Sequence, residues 1–562
     1  MGIKSLRSLV ADALTRKEPK DPRNPKGTSR THGTAEPLVP GQSLDGKDNT
    51  DVHSTRVDYR SIEQQAEEKA AAFQHAKGKK TARERLELLL DDDSFVEIGR
   101  FRGGHASEGF LGASVITGFG EINGRPVAVY AQDFSLKGGT LGSTEGAKIC
   151  ELMDKAIAQR IPIVSMLDSG GARIQEGVMA LAQYGRIFRR SCKASGLIPQ
   201  ISIILGPCAG GAVYSPALTD FVVMTRENSH MFVTGPDVVR AVTGEDVTPA
   251  ELGGAELHNV QSGVAHYLGE DEEDAIDYAR SLLNYLPSHC DELPPHYAYT
   301  TSTTDETAAA GVGEMVSSDS RQPYNMVEVV EALVDHGEFV QVQEYFAPSI
   351  VIGFACINGG TVGIVADQPN HNAGTLDVDA SEKAARFVRC CDAFGIPVVT
   401  LVDVPGYRPG TDQEQAGIIR RGAKLIFAYA NATVPLVTVT LRKAYGGAYI
   451  VMGSKSIGAD FSYAWPDAEL AVMGADGAVN ILHRRKIKAA GPDKKAMAAK
   501  AKELADEYAA KNINPNLSVA SGELDGIIEP SQTRQVIAEA LEVLKTKDRT
   551  HPGPKRHNNG PL

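Results

Sequence analysis

A chain of 562 residues exceeds one ordinary hydrophobic core, so two domains are expected. Apolar residues make up 42% and charged residues 23%, the balance of a soluble globular protein, and no apolar run is long enough to span a membrane. With 58 basic against 71 acidic residues the net charge is −13, and the body holds no long basic block, which argues against nucleic acid as the main partner.

Residues 1–55 are rich in Pro, Gly, Lys, Asp and Thr and read as a disordered extension. Residues 60–90 read as helical, ending in Thr81–Leu90, and Asp91–Phe95 breaks the helix. Strands and helices then alternate, giving a first domain over 56–296. The Thr/Ser/Ala/Gly-rich stretch 297–322 reads as a linker. A second α/β pattern runs over 323–548, and 549–562 is a polar tail. Seven cysteines are scattered, none in a CxxC, which fits a reducing, cytoplasmic compartment. No ligand cluster has the spacing of a zinc site, so no metal is expected in this chain.

The strongest signal is an internal repeat. Ile122-Asn123-Gly124 recurs as Ile357-Asn358-Gly359, and Gly139-Thr140-Leu141 as Gly374-Thr375-Leu376, both 235 residues later. Ile161-Pro162-Ile163-Val164 and Asp168 recur at the same offset as Ile396-Pro397-Val398-Val399 and Asp403. Gly210-Gly211-Ala212 recurs as Gly446-Gly447-Ala448 at an offset of 236. The period is that of a whole domain, far longer than a solenoid unit. Each copy reads as β-hairpin, helix, buried strand, glycine turn and helix: an α/β spiral with mixed sheets.

Both glycine turns follow apolar, β-branched runs, Gln200–Leu205 and Leu436–Leu441. Strand, glycine turn and helix together leave backbone N–H groups aimed at one point, ready for a negative oxygen. Gly-Gly at such a turn also serves tight packing alone. Two copies, each with a second Gly-bearing loop (Asp168-Ser169-Gly170-Gly171 and Asp403-Val404-Pro405-Gly406), favour the functional reading. Cys208, inside the first turn, reads as a small buried residue rather than a nucleophile. Glu270–Asp274 reads as a solvated helix start, and Arg420-Arg421 and Arg484-Arg485 as surface charge by default.

At Thr81–Leu90, Asp168–Gly177, Gly206–Pro216, Met231–Pro236, Asp403–Gly410, Ala444–Lys455 and Met473–Asn480 the chain resembles the carboxyltransferase β chain of biotin-dependent acyl-CoA carboxylases, of the propionyl-CoA carboxylase type. The resemblance implies two tandem crotonase-like β-β-α spiral domains, with acyl-CoA on the first and carboxybiotin on the second. The two faces would meet between chains in a hexamer. Its reaction forms an enolate, whose oxygen needs donors already in place. The resemblance assigns Gly210, Gly211 and Ala212 to the thioester oxygen and Gly446, Gly447 and Ala448 to the ureido oxygen of biotin. It places Gly170, Gly171, Ala172, Tyr214 and Ile450 on the substrate, and Gly406, Tyr445, Gly447 and Ala448 on biotin. Propionyl-preferring members tend to carry an acidic residue where this chain has Ile450, which leaves acetyl and longer chains open.

The sequence holds no Ala-Met-Lys-Met biotinylation site and no ATP-grasp glycine loop. The implied cofactor, biotin, would therefore ride on a biotin carboxylase/biotin carboxyl carrier chain, with a coenzyme A thioester as substrate. The alternative is a subunit of a biotin-dependent methylmalonyl-CoA decarboxylase or transcarboxylase. A scaffold that kept the fold without activity is disfavoured by intact glycine turns in both halves.

Overall fold

The computed structural model describes residues 59–103, 112–319 and 321–549. The extension 1–55 and, apart from Arg549, the tail lie outside the described residues.

Among the described residues, two eight-stranded mixed sheets share one strand order. The first holds β1 (Val96–Glu97), β2 (Val115–Ile122), β3 (Arg125–Gln132), β4 (Ile163–Ser169), β5 (Gln200–Ala209), β6 (Phe221–Thr225), β7 (His230–Phe232) and β8 (Tyr267–Gly269). The second holds β9 (Phe339–Val342), β10 (Ile350–Ile357), β11 (Gly360–Asp367), β12 (Val398–Val404), β13 (Leu436–Tyr445), β14 (Phe461–Ala464), β15 (Glu469–Ala471) and β16 (Gly526–Ile527). The order β1-β2-β3-β4-β5-β6-β8, with β7 beside β5, is matched by β9-β10-β11-β12-β13-β14-β16, with β15 beside β13. The expected duplicated spiral is the architecture found.

Asn-Gly turns fix the register of both hairpins. Asn123 and Gly124 have φ of 53° and 72°, and Asn358 and Gly359 have 51° and 79°. Positive φ at both central residues is the two-residue hairpin turn whose twist matches paired strands. Crossover helices Ser143–Gln159 and Val378–Ala393 then make the next strand parallel. Each carries a buried lysine at one repeat position. Lys148 Nζ donates to Val115 O at 2.8 Å, and Lys383 Nζ donates to the carbonyls of Gln343, Phe346 and Ile350 at 2.7–2.8 Å. Burial pushes their pKa values down to about 8 and about 7.

One apolar core runs through both halves, from Leu86 and Leu282 to Phe354 and Leu425. At the seam Phe354 packs against Phe221, Tyr285 and Phe387. Arg386 donates to the carbonyls of Thr219 and Asp220, both at 2.8 Å.

Three local readings differ from the structure. The helix read over 60–90 is two helices, Tyr59–His75 and Ala82–Leu89, parted where Gly78 turns to φ 69°. Thr81 caps the second, its hydroxyl accepting from Glu84 N–H at 3.2 Å and its N–H donating to Glu84 Oε2 at 2.7 Å. The segment 297–322 holds helices Thr303–Ala310 and Val312–Met315, the latter burying Val312 in the second half's core. The strands read over Gln200–Leu205 and Leu436–Leu441 run on to Ala209 and Tyr445.

Candidate active site

The strand extensions lead into the two glycine turns. Along β4 and β5, Leu167 pairs with Ile204 and Ser169 with Cys208, so β5 uses two extra residues over that interval. Val402–Thr440 and Val404–Ala444 repeat the bulge in the second half. Each bulge tips the strand end into its glycine turn. Gly210 and Gly446 take φ of 64° and 62°, a conformation that costs glycine little. A short 3-10 turn, Gly210–Val213, follows the first, and a helix, Gly446–Val451, begins at the second. The leading N–H groups of such turns have no acceptor within them. Among the described residues no loop or side-chain hydrogen bond uses the N–H of Gly210, Gly211, Ala212, Gly446, Gly447 or Ala448.

The second loop packs onto each turn. Leu141 N–H donates to Gly171 O at 2.9 Å, and Leu376 N–H to Gly406 O at 3.2 Å, so the loops hold matching places. A side chain at Gly171 would stand 2.7 Å from Ala209 O, which requires glycine there. Tyrosine rings back both turns from different elements. Tyr184 lies 3.3 Å from a Cβ built on Gly211, and Tyr407 lies 3.9 Å from one built on Gly447.

The remaining candidates fall into place around these loops. Gly170 is exposed and Ala172 half-buried beside the first turn. Tyr214, on the short helix Tyr214–Ala217, and Ile450, on the helix after the second turn, are exposed. Tyr445 ends β13 with its hydroxyl on the Glu469 carboxylate. Ala212 and Ala448 are buried beneath their turns. Cys208 is wholly buried, and burial raises its thiol to about 12, which leaves no thiolate near neutral pH. Arg173 braces the first loop, donating to Glu176 at 2.8 Å and Glu145 at 2.7 Å.

Sequence reading missed the buried charge behind the turns. Asp168 and Asp403 are wholly buried. Arg442 Nε donates to Asp403 Oδ2 at 2.9 Å, while Lys79 and Arg85 meet Asp168. Glu272, read as part of a solvated helix start, is buried against Arg85. Its neighbour Asp271 caps the helix Glu272–Tyr285, as charge at that end predicts.

Asp367 also emerges only in three dimensions. It accepts from Asp403 N–H at 3.1 Å, where the first half has Gln132 accepting from Asp168 N–H at 3.2 Å. Burial, with the Asp403 charge adding to it, drives the Asp367 carboxyl well above the usual range. The folded protein therefore keeps a proton that the unfolded chain releases above pH about 4, and stability falls as pH rises. Asp367→Asn is expected to melt above the unsubstituted protein at pH 7, with the gap closing toward pH 4. A gap that does not change with pH contradicts this.

A model of the carboxyl transferase domain matches residues 73–559. The chain belongs to the carboxyl transferase domain family. This carboxyltransferase is 54% identical over 513 residues to a propionyl-CoA carboxylase beta chain of Saccharopolyspora erythraea, covering 88% of this chain and 93% of that one. It is 48% identical over 501 residues to the methylmalonyl-CoA decarboxylase subunit alpha of Veillonella parvula, covering 88% and 96%. A solved structure of transcarboxylase 12S, a hexamer with methylmalonyl-CoA bound, superposes with a TM-score of 0.84 at 44% identity, covering 92% of this carboxyltransferase and all of that chain. Among the described residues no helix is long and apolar enough to cross a membrane, and no cluster of three metal-ligating side chains occurs.

Proposed function

We propose that this chain is the carboxyltransferase subunit of a biotin-dependent acyl-CoA carboxylase, moving a carboxyl group from carboxybiotin to the α-carbon of an acyl-CoA. The observation that carries the reading is the matched pair of glycine turns, Gly210 and Gly446 sharing one backbone conformation at the ends of equivalent strands. The N–H groups at Gly210, Gly211 and Ala212 hold the thioester oxygen as the enolate forms. Those at Gly446, Gly447 and Ala448 hold the ureido oxygen. Each such donor is worth about 3 kcal/mol in the transition state. Biotin, on a partner chain, supplies the carboxyl group and a base for the α-proton once that group has left. Space for it is consistent with Gly406, where no atom lies within 4 Å of an added Cβ, and with the exposed Gly447.

The domain over 56–296 takes acyl-CoA, with Gly170, Gly171, Ala172 and Tyr214 along it. The domain over 323–548 takes the biotin side, with Gly406 and Tyr445 beside the second turn and Ile450 toward the acyl group. Exposed apolar residues flank both turns: Val233, whose carbonyl lies 3.9 Å from a Cβ built on Gly210, and Val472, whose carbonyl lies 3.2 Å from one built on Gly446. Faces of this kind fit burial between subunits, and a hexamer like that of transcarboxylase 12S is the assembly proposed. Similarity to the decarboxylase subunit supports a second reading, the same half-reaction run in another direction.

The test is to assemble the chain with a biotinylated carboxylase partner, supply ATP and bicarbonate, and follow carboxylation of acetyl-, propionyl- and long-chain CoA. Carboxylation of any of them supports the reading. Decarboxylation of methylmalonyl-CoA with no ATP-dependent carboxylation moves it to the second.

A further inference from the structure

The two halves neutralise one buried carboxylate in different ways. Asp168 ends the β4 core and Asp403 holds the same place in β12. In the second half the cation comes from the bulge itself, Arg442 Nε reaching Asp403 Oδ2 at 2.9 Å and the Lys443 N–H reaching Oδ1 at 3.2 Å. At the repeat offset of 236, Arg442 corresponds to Gly206 and Lys443 to Pro207. Glycine brings no cation, and proline has no N–H to give. A side chain at Gly206 would in any case overlap Asp168 Oδ1 and crowd Lys79 Nζ.

The first half takes its cations instead from the segment ahead of β1. Lys79 pairs with Asp168 Oδ2, and Arg85, on the helix Ala82–Leu89, donates to the same oxygen at 3.0 Å. Asp168 Oδ1 is buried with no hydrogen-bond partner among the described residues. Arg85 reaches further than charge balance requires. Its NH2 group donates to Leu205 O, inside the β5 bulge, at 3.1 Å. Its Nε and NH2 also hold the two Glu272 oxygens at 2.9 and 2.7 Å. Burial works against the guanidinium, but Glu272 and Asp168 outweigh it and hold its pKa above the ordinary value. One side chain, 1% exposed, therefore ties the end of β4 to the bulge that aims the first turn.

We propose that Arg85 is a positioning residue for the first glycine turn, supplying from the helix Ala82–Leu89 the grip that Arg442 supplies from the bulged strand itself. The proposal rests on the carboxyltransferase reading for its effect on rate, but a change in turn mobility registers without any activity. A shift of about 1 Å at a reacting centre costs about a hundredfold in rate.

The experiment compares Arg85→Met, Arg85→Lys and the double variant Arg85→Met/Glu272→Gln, which leaves Asp168 paired with Lys79 and no other carboxylate of the network unpaired. Each is assembled with the biotinylated partner, and kcat, KM for acyl-CoA, melting temperature and amide exchange are measured. The expected result is a double variant that melts near the unsubstituted protein, with kcat down about a hundredfold and KM within about threefold. Exchange should quicken over 205–213 and stay unchanged over 441–449, and Arg85→Lys should fall between. A double variant with kcat within about threefold, or with unchanged exchange at 205–213, overturns the proposal and reduces Arg85 to a counter-charge. Failure of the unsubstituted complex to carboxylate any acyl-CoA strikes the functional reading instead, and the exchange data still decide the positioning role.

Discussion

Gly447→Val is expected to cut carboxyl transfer by about a hundredfold while the protein still folds. Gly447 is exposed and has no positive φ. A Cβ there meets the Tyr407 ring at 3.9 Å, ordinary contact distance, so the backbone accepts the branch. The two methyls then stand over the N–H groups of the second turn and keep an oxygen from reaching them. Gly446 is a poorer test, because its φ of 62° strains any residue with a side chain and mixes folding with chemistry. Turnover and melting temperature, measured on the assembled complex, check the outcome. Near-normal turnover at an unchanged melting temperature contradicts the role given to this turn.

Arg442→Met is expected to destabilise the second half by about 3 kcal/mol, because it takes the hydrogen-bonded cation from the wholly buried Asp403 and leaves Lys443 Nζ 4.0 Å away. The guanidinium also donates to the carbonyls of Ser317, Asp319 and Gln322 at 3.2, 3.0 and 2.9 Å and lies 4.9 Å from the Tyr324 ring centre. It is thus the tie between β13 and the segment leading into the second half. Removing the Asp403 charge should return part of the loss, so Arg442→Met/Asp403→Asn should melt above the single variant. Thermal melting of both variants checks this, and a single variant that melts like the unsubstituted protein contradicts it.

Local chemistry made the duplication readable. Asn-Gly pairs force a hairpin wherever they sit between strands, and Gly-Gly after a β-branched run forces a turn, so two copies at one offset betray two copies of one fold. The family resemblance then attached a chemistry to those turns. The buried charges were hidden because their partners are far apart in sequence. Arg85 and Asp168 are 83 residues apart, and Glu272 sits among four other acidic residues that make its stretch look solvated. Side-chain direction on the helix Glu272–Tyr285 decides which of them turns inward, and composition does not carry that. The helices at 303–315 illustrate the opposite case. Ser302 with Asp305 three residues on is a helix start, its hydroxyl accepting from Asp305 N–H at 3.0 Å, and the Thr/Ala-rich composition masked it. Arg442 corresponds to Gly206 under the repeat, so the alignment of the halves held a clue that only the Asp403 contact made meaningful.

The claim beneath all of this is that each site pairs the first turn of one subunit with the second turn of another. Mixing two inactive proteins tests it most directly. Gly211→Val and Gly447→Val chains are prepared separately, dissociated, combined in equal amounts and reassembled with the biotinylated partner. Random pairing in symmetric dimers leaves about one site in four with both turns intact, so the mixture should recover about a quarter of the unsubstituted rate. If the turns instead work in pairs within one chain, every site keeps one blocked turn, and a mixture no more active than its components contradicts the claim.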